Sequence, residues 1–207
     1  MNNSHSSVTD WGLNHVRIEQ DFTILDVGCG GGRTIQKLAV MAVKGMIFGV
    51  DYSASSVAAS RGKNAQLVQA GRVEVQQASV SELPFLPGKF DLVTAVETQY
   101  YWPDLVKDMQ EILRVLKPGG TLIVIAESYK GARFDVVLRP VMKLLRSTIL
   151  SLAEQRELFV KAGYTDVQTY EDPRKGWMCA TGKKSGSLEN PSGSDGMLRS
   201  SPGYGVS

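Results

Sequence analysis

Short runs of branched apolar residues alternate along this chain with longer segments whose apolar positions recur every third or fourth residue. That is the pattern of strands feeding helices in βαβ units. Thr23 to Val27, Met46 to Val50, Val73 to Gln77, Phe90 to Ala95, Thr121 to Ala126, Val167 to Tyr170 and Trp177 to Gly182 predict strands. Arg33 to Val43, Ala54 to Arg61, Asp104 to Leu116 and Ala153 to Ala162 predict helices. The helix opening at Asp104 carries its own stop, because Lys117-Pro118-Gly119-Gly120 places a cation in the last turn and then residues that cannot continue a helix. The alternation predicts an α/β domain with a doubly wound, mostly parallel sheet.

Three regions fall outside this alternation. Residues 1–22 precede the first strand; within Asn2 to Ile18, Thr9 or Asp10 could cap a helix, and Trp11, Leu13, Val16 and Ile18 form an irregular apolar set. We expect a lid or packing segment there. Residues 129–152 add a mixed apolar and basic helix between a strand and the next helix, an insertion that would lie over the carboxyl ends of the strands as a cap for a substrate. From Ser185 the composition turns to Gly, Ser, Asn and Pro, so 185–207 is expected to be a disordered tail and 23–184 the folded domain.

Composition narrows the function classes. A chain of 207 residues supports one domain and one site. No stretch is long and apolar enough for a membrane span, and the absence of a signal-peptide pattern near Met1 leads us to expect a cytoplasmic protein. A formal net charge of +2 gives no dense basic surface, so nucleic acid is not indicated as a partner. Cys29 and Cys179 lack metal-ligand spacing and read as small buried side chains, and no metal is expected. A monomer or homodimer is expected.

The first strand ends in Asp26-Val27-Gly28-Cys29-Gly30-Gly31-Gly32, which turns into a helix. Glycines there let bare backbone approach a ligand and accept positive φ. The dinucleotide fingerprint needs a third glycine where Arg33 stands, and no Gly-Lys-Ser/Thr closes a Walker loop. Asp26 would repel a pyrophosphate but suits a ligand with a cationic amino-acid end, such as S-adenosylmethionine (SAM). Asp51, at the end of the next strand, stands at the spacing where a carboxylate meets ribose hydroxyls; its alternative is a helix cap, a role that Ser53 could fill instead.

With Ile24 to Gly32 and Gly49-Val50-Asp51-Tyr52-Ser53, the segments Leu83-Pro84-Phe85, Phe90-Asp91-Leu92-Val93 and Leu116 to Leu122 stand in the order of the motifs of class I SAM-dependent methyltransferases. The chain resembles that family over roughly Thr23 to Lys184, and is most similar to the small-molecule branch called methyltransferase type 11. The resemblance implies a Rossmann-like seven-stranded sheet with its last strand antiparallel, and SAM as cofactor. It implies that Asp26, Gly28, Gly30 and Gly32 hold the methionine part, Asp51 the ribose, and Ser79 and Val80 the adenine, with Cys29 and Tyr52 also at the cofactor. Val96-Glu97-Thr98 would border the methyl side. At Ser79 the family most often has an aspartate, so a neutral hydroxyl stands where a carboxylate would meet the adenine amine.

Methyl transfer from a sulfonium is an in-line displacement that needs alignment and exclusion of water more than a dedicated catalytic group. Where the acceptor must lose a proton, His5, His15, Glu97 and Tyr100 are candidate bases. Tyr100-Tyr101-Trp102 would wall the pocket of a small-molecule acceptor. A SAM-binding sensor or partner subunit without turnover is compatible with the same loop, whereas a nicotinamide enzyme is disfavoured by Asp26 and Arg33.

Overall fold

The computed structural model describes residues 4–130 and 149–186. The described residues form α1 (Ser4–Leu13), β1 (Ile24–Val27), α2 (Arg33–Met41), β2 (Ile47–Asp51), α3 (Ala54–Lys63), α4 (Ala65–Gln69), β3 (Val73–Gln77), β4 (Phe90–Val96), a 3₁₀ turn (Gln99–Tyr101), α5 (Leu105–Val115), β5 (Leu116–Ala126), α6 (Leu152–Lys161), β6 (Thr165–Asp172) and β7 (Trp177–Lys183). Much of the predicted insertion, including Phe134 to Leu145, lies outside the described residues, as does nearly all of the predicted tail.

The seven strands lie in the order β3-β2-β1-β4-β5-β7-β6. Only β7 runs antiparallel, paired with β5 on one side and β6 on the other. This is the predicted α/β sheet. Order reverses between β1 and β4, which pair in parallel with Leu25 beside Val93. In an open α/β sheet that switch point opens a crevice at the strands' carboxyl ends.

The central strands are buried on both faces, and so read as nearly unbroken apolar runs. One core layer joins Leu25, Phe48, Phe90, Val93 and Leu122 to Met109 and Ile112 of α5 and Phe159 of α6. On the other face Ile24, Ile47, Leu92, Ile123 and Cys179 pack with Ile35 and Leu38 of α2 and Val8 of α1. Helix α5 starts where the Asp104 carboxylate accepts from the Lys107 amide at 3.2 Å, a cap that satisfies one of the first-turn donors. Helix α6 starts with a reciprocal box, Ser151 with Glu154, and the pKa of the Glu154 carboxyl is held down to about 2 by the Ser151 amide, the Lys130 ammonium and the Ser151 hydroxyl.

Several element boundaries differ from the sequence expectation. Thr9 and Asp10 are interior residues of α1, not its cap, because burying Val8 and Leu13 against the sheet extends the helix back to Ser4. Helix α5 ends at Val115, and Lys117-Pro118-Gly119-Gly120 belongs to β5. Its backbone groups find partners there: Gly119 donates to the Lys184 carbonyl and Lys184 to that of Gly120, each at 2.9 Å. The ladder to β4 shifts register between Phe90 and Leu92 to accommodate it. Helix α4 lies outside the sequence expectation, since five residues are too few to show a helical periodicity.

Candidate functional site

Strand β1 delivers Gly28 to the switch point, and the amides of Gly28 and Cys29 both donate to the Val50 carbonyl, at 2.8 and 2.9 Å. The loop is thus tied to the end of β2. Gly28, Gly30 and Gly32 all have positive φ, at 71°, 49° and 76°. A Cβ on Gly28 would stand 2.1 Å from the Thr98 hydroxyl, and one on Gly32 would meet Ser60 and Asn64. Asn64 secures the loop from behind, donating its side-chain amide to the carbonyls of Gly32 at 3.0 Å and Ser60 at 2.9 Å. At Gly30, by contrast, a Cβ would meet nothing within 4 Å, because that position faces open space.

Asp51 closes β2. One of its oxygens accepts from the Gly30 amide and the other from the Ser53 amide, each at 2.9 Å. The cap of α3 is Ser53, whose hydroxyl accepts from the Ser56 amide, so Asp51 is not needed as a cap. Each carboxylate oxygen keeps a lone-pair direction for a further donor, which suits two vicinal hydroxyls.

These residues face a cavity of about 610 Å³. Val27, Gly28 and Gly30 form its floor; Val50, Asp51 and Tyr52 one side; Ala78, Ser79 and Val80, beyond β3, the far end; and Glu97, Thr98, Tyr101, Trp102 and Pro103, beyond β4, the opposite wall. Trp102 is buried, and Tyr101 and Tyr52 are exposed at the rim. The wall contains no lysine or arginine among the described residues. A pyrophosphate would therefore face the Asp51 and Glu97 carboxylates without a cation of the wall to offset them.

Other predicted residues stand behind this surface. Asp26 is buried within β1, where its carboxylate accepts from the Thr94 hydroxyl at 2.6 Å. Burial is the main cause that pushes its pKa up to about 7; the Thr94 bond opposes the shift and the Asp51 charge adds to it. The Cys29 thiol points into the core against Gly49, and burial pushes it up to about 12, so only its backbone belongs to the loop surface. Tyr100 lies behind Glu97 and donates its hydroxyl to the Glu97 carboxylate at 2.5 Å, while the Glu127 amide donates to the other oxygen. Burial, then the neighbouring Glu97 charge, hold the Tyr100 phenol well above its ordinary value; it stays protonated and serves as a donor. Glu97 itself has φ of 57°, a left-handed backbone that non-glycine residues seldom adopt.

The structure does not bring His15 to this cavity. Its ring packs on Tyr170 at 4.2 Å and on Trp11 at 4.7 Å, and lines a separate cleft with Asp91, Thr121 and Lys183. The His5 side chain lies outside the described part. Thr94, Ser60 and Asn64, which support the loop, had no sequence signal, because each comes from another element and is an ordinary residue for the helix or strand in which it sits.

A family model described as a methyltransferase domain matches residues 18–155. This chain belongs to the class I SAM-dependent methyltransferases. It is 36% identical over 102 residues to the O-methyltransferase resE of Aspergillus sclerotiorum, an alignment covering 49% of this chain and 38% of that protein. Against the demethylmenaquinone methyltransferase of Lactococcus lactis identity is 29% over 159 residues, 72% of this chain and 62% of the relative. The chain thus spans less than two thirds of the length of these curated relatives. Among solved structures, a complex of the Haloferax volcanii Trm112 methyltransferase activator with a methyltransferase matches with a TM-score of 0.76 at 22% identity, over 87% of this chain and 90% of that one. That likeness is one of fold.

The cofactor of the family is SAM, and the donor set here fits it. Asp51 is oriented for a ribose diol, Gly30 leaves room for close approach, and apolar Val50, Ala78 and Val80 suit a purine ring.

Proposed function

We propose that this chain binds SAM across the ends of β3, β2, β1 and β4 and transfers its methyl group to a small-molecule acceptor by in-line displacement. One observation carries the reading: Asp51, fixed by two backbone amides, faces a cavity whose floor is the glycine loop. SAM supplies a methyl group activated by a positively charged sulfur.

The chain's own residues hold, orient and exclude water. Asp51 accepts from the ribose, Tyr52 flanks it, and Ser79 and Val80 take the adenine end, with the Ser79 hydroxyl serving where the family often has a carboxylate. Gly28, Gly30 and Gly32, with the backbone of Cys29, carry the amino-acid part, and buried Asp26 lies beneath it, where an ammonium would favour the charged form of its carboxyl. Beyond β4, Tyr101 and Trp102 offer flat apolar surface to an acceptor, and Tyr100 supports Glu97 from behind. Glu97 is the residue placed to accept a proton from an acceptor hydroxyl or amine; no proton-transfer role is assigned to His15, given its separate cleft. Relatives named as O-methyltransferases and as a demethylmenaquinone methyltransferase support a small-molecule acceptor.

The test is incubation of the full chain with methyl-labelled SAM and a fractionated metabolite extract, read by mass spectrometry. Label in a small metabolite supports the proposal. SAM binding with no labelled product in any fraction would favour a binding protein without turnover.

A further inference from the structure

We propose that the Thr98 hydroxyl binds the carboxylate of the cofactor's amino-acid end, an inference that rests on the SAM reading above. Sheet order sets the direction in which an extended ligand must lie. Neighbouring strands are about 4.8 Å apart, and the ends of β3, β2, β1 and β4 follow one another across the crevice. With the ribose at Asp51 on β2 and the adenine at Ser79 and Val80 beyond β3, the amino-acid end falls over Gly28, just past β1, and the residues beyond β4.

A carboxylate placed there needs donors, because the Asp51 and Glu97 carboxylates of the lining would oppose it. Most of the loop's amides are already engaged. Those of Gly28 and Cys29 donate to Val50, that of Gly30 to Asp51 and that of Gly32 to Cys29. Thr98 differs. Its side chain lines the cavity directly over the Gly28 Cα, and its hydroxyl has no hydrogen-bond partner among the described residues. The Thr98 carbonyl accepts from the Tyr101 amide at 3.1 Å, which anchors its backbone at the start of the 3₁₀ turn. The hydroxyl is therefore a donor on an anchored backbone at the point where the sheet order puts the amino-acid end, and the absence of a side chain on Gly28 is what makes room for it.

Calorimetry with two probes tests this. S-adenosylhomocysteine carries the amino-acid end, and 5′-methylthioadenosine keeps the nucleoside but lacks that end. Thr98→Val keeps the shape and removes the hydroxyl. We expect it to weaken S-adenosylhomocysteine roughly tenfold or more, as for loss of a hydrogen bond to a charged group. The same variant should leave 5′-methylthioadenosine within about twofold of wild type, and Thr98→Ser should bind both probes nearly as wild type. Wild-type affinity of Thr98→Val for S-adenosylhomocysteine would overturn the assignment. So would an equal loss for both probes, which would mean that the side chain only shapes the loop. If the unmodified chain bound neither probe, the SAM reading would fail, and this inference with it.

Discussion

The two oxygens of Asp51 are each held by one backbone amide, so the carboxylate is aimed before any ligand arrives. Little ordering is left for binding to cost. Asp51→Ala should weaken S-adenosylhomocysteine by one to two orders of magnitude, measured by calorimetry, for loss of hydrogen bonds to a charged group. Asp26 makes a prediction of the opposite kind. Its pKa is about 7 in the folded chain against an ordinary 3.8, so the folded state holds a proton that the unfolded state has already released between those values. Stability should therefore fall as pH rises through that window and level off above about 7, a cost on the order of 4 kcal/mol when complete. Asp26→Asn removes the titration, so its melting temperature should exceed that of wild type at pH 8 and converge with it near pH 4. A constant difference across that range would show that Asp26 is not held neutral by burial.

At the scale of elements, the β1–α2 turn divides its glycines between cavity and scaffold. Gly30 faces the cavity and Gly32 faces Ser60 and Asn64 on α3 and its cap. Gly30→Val should fold with a penalty of about 1–2 kcal/mol from its positive φ, yet lose S-adenosylhomocysteine binding because its side chain occupies the ligand's space. Gly32→Ala should instead lower the melting temperature more than Gly30→Val does, since its Cβ would stand 2.4 Å from the Ser60 hydroxyl. Paired thermal melts and calorimetry separate the two, and a ligand-binding Gly30→Val would remove the loop from the site. The neck of the segment after β5 is closed as well: the Lys130 amide donates to the Leu150 carbonyl at 3.0 Å and the Lys130 ammonium pairs with Glu154. The described residues Lys130 and Leu150 therefore stand side by side beyond the carboxyl end of β5.

Across the whole molecule, what could be read in advance was what repeats locally. Parallel strands buried on both faces announce themselves as apolar runs, and Asp51 stands out because it follows such a run at a ribose-binding distance from the glycine loop. What could not be read was set by contacts between distant segments. Thr94 meets Asp26 across 68 residues and Asn64 meets Gly32 across 32, and neither residue type is unusual in its own element. His15 is a candidate in the sequence because it sits in the N-terminal segment expected to act as a lid, but tertiary packing on Trp11 and Tyr170 puts it in another cleft. Likewise Thr9 and Asp10 have the chemistry of caps, and burial of α1 against Ile125 and Trp177 makes them interior instead. The measurement that bears most directly on the cofactor site is calorimetric titration of the full chain with S-adenosylhomocysteine and, separately, with NADH. Saturable binding of the first at one site, abolished by Gly30→Val, and none of the second is the predicted result; binding of NADH without S-adenosylhomocysteine would contradict it.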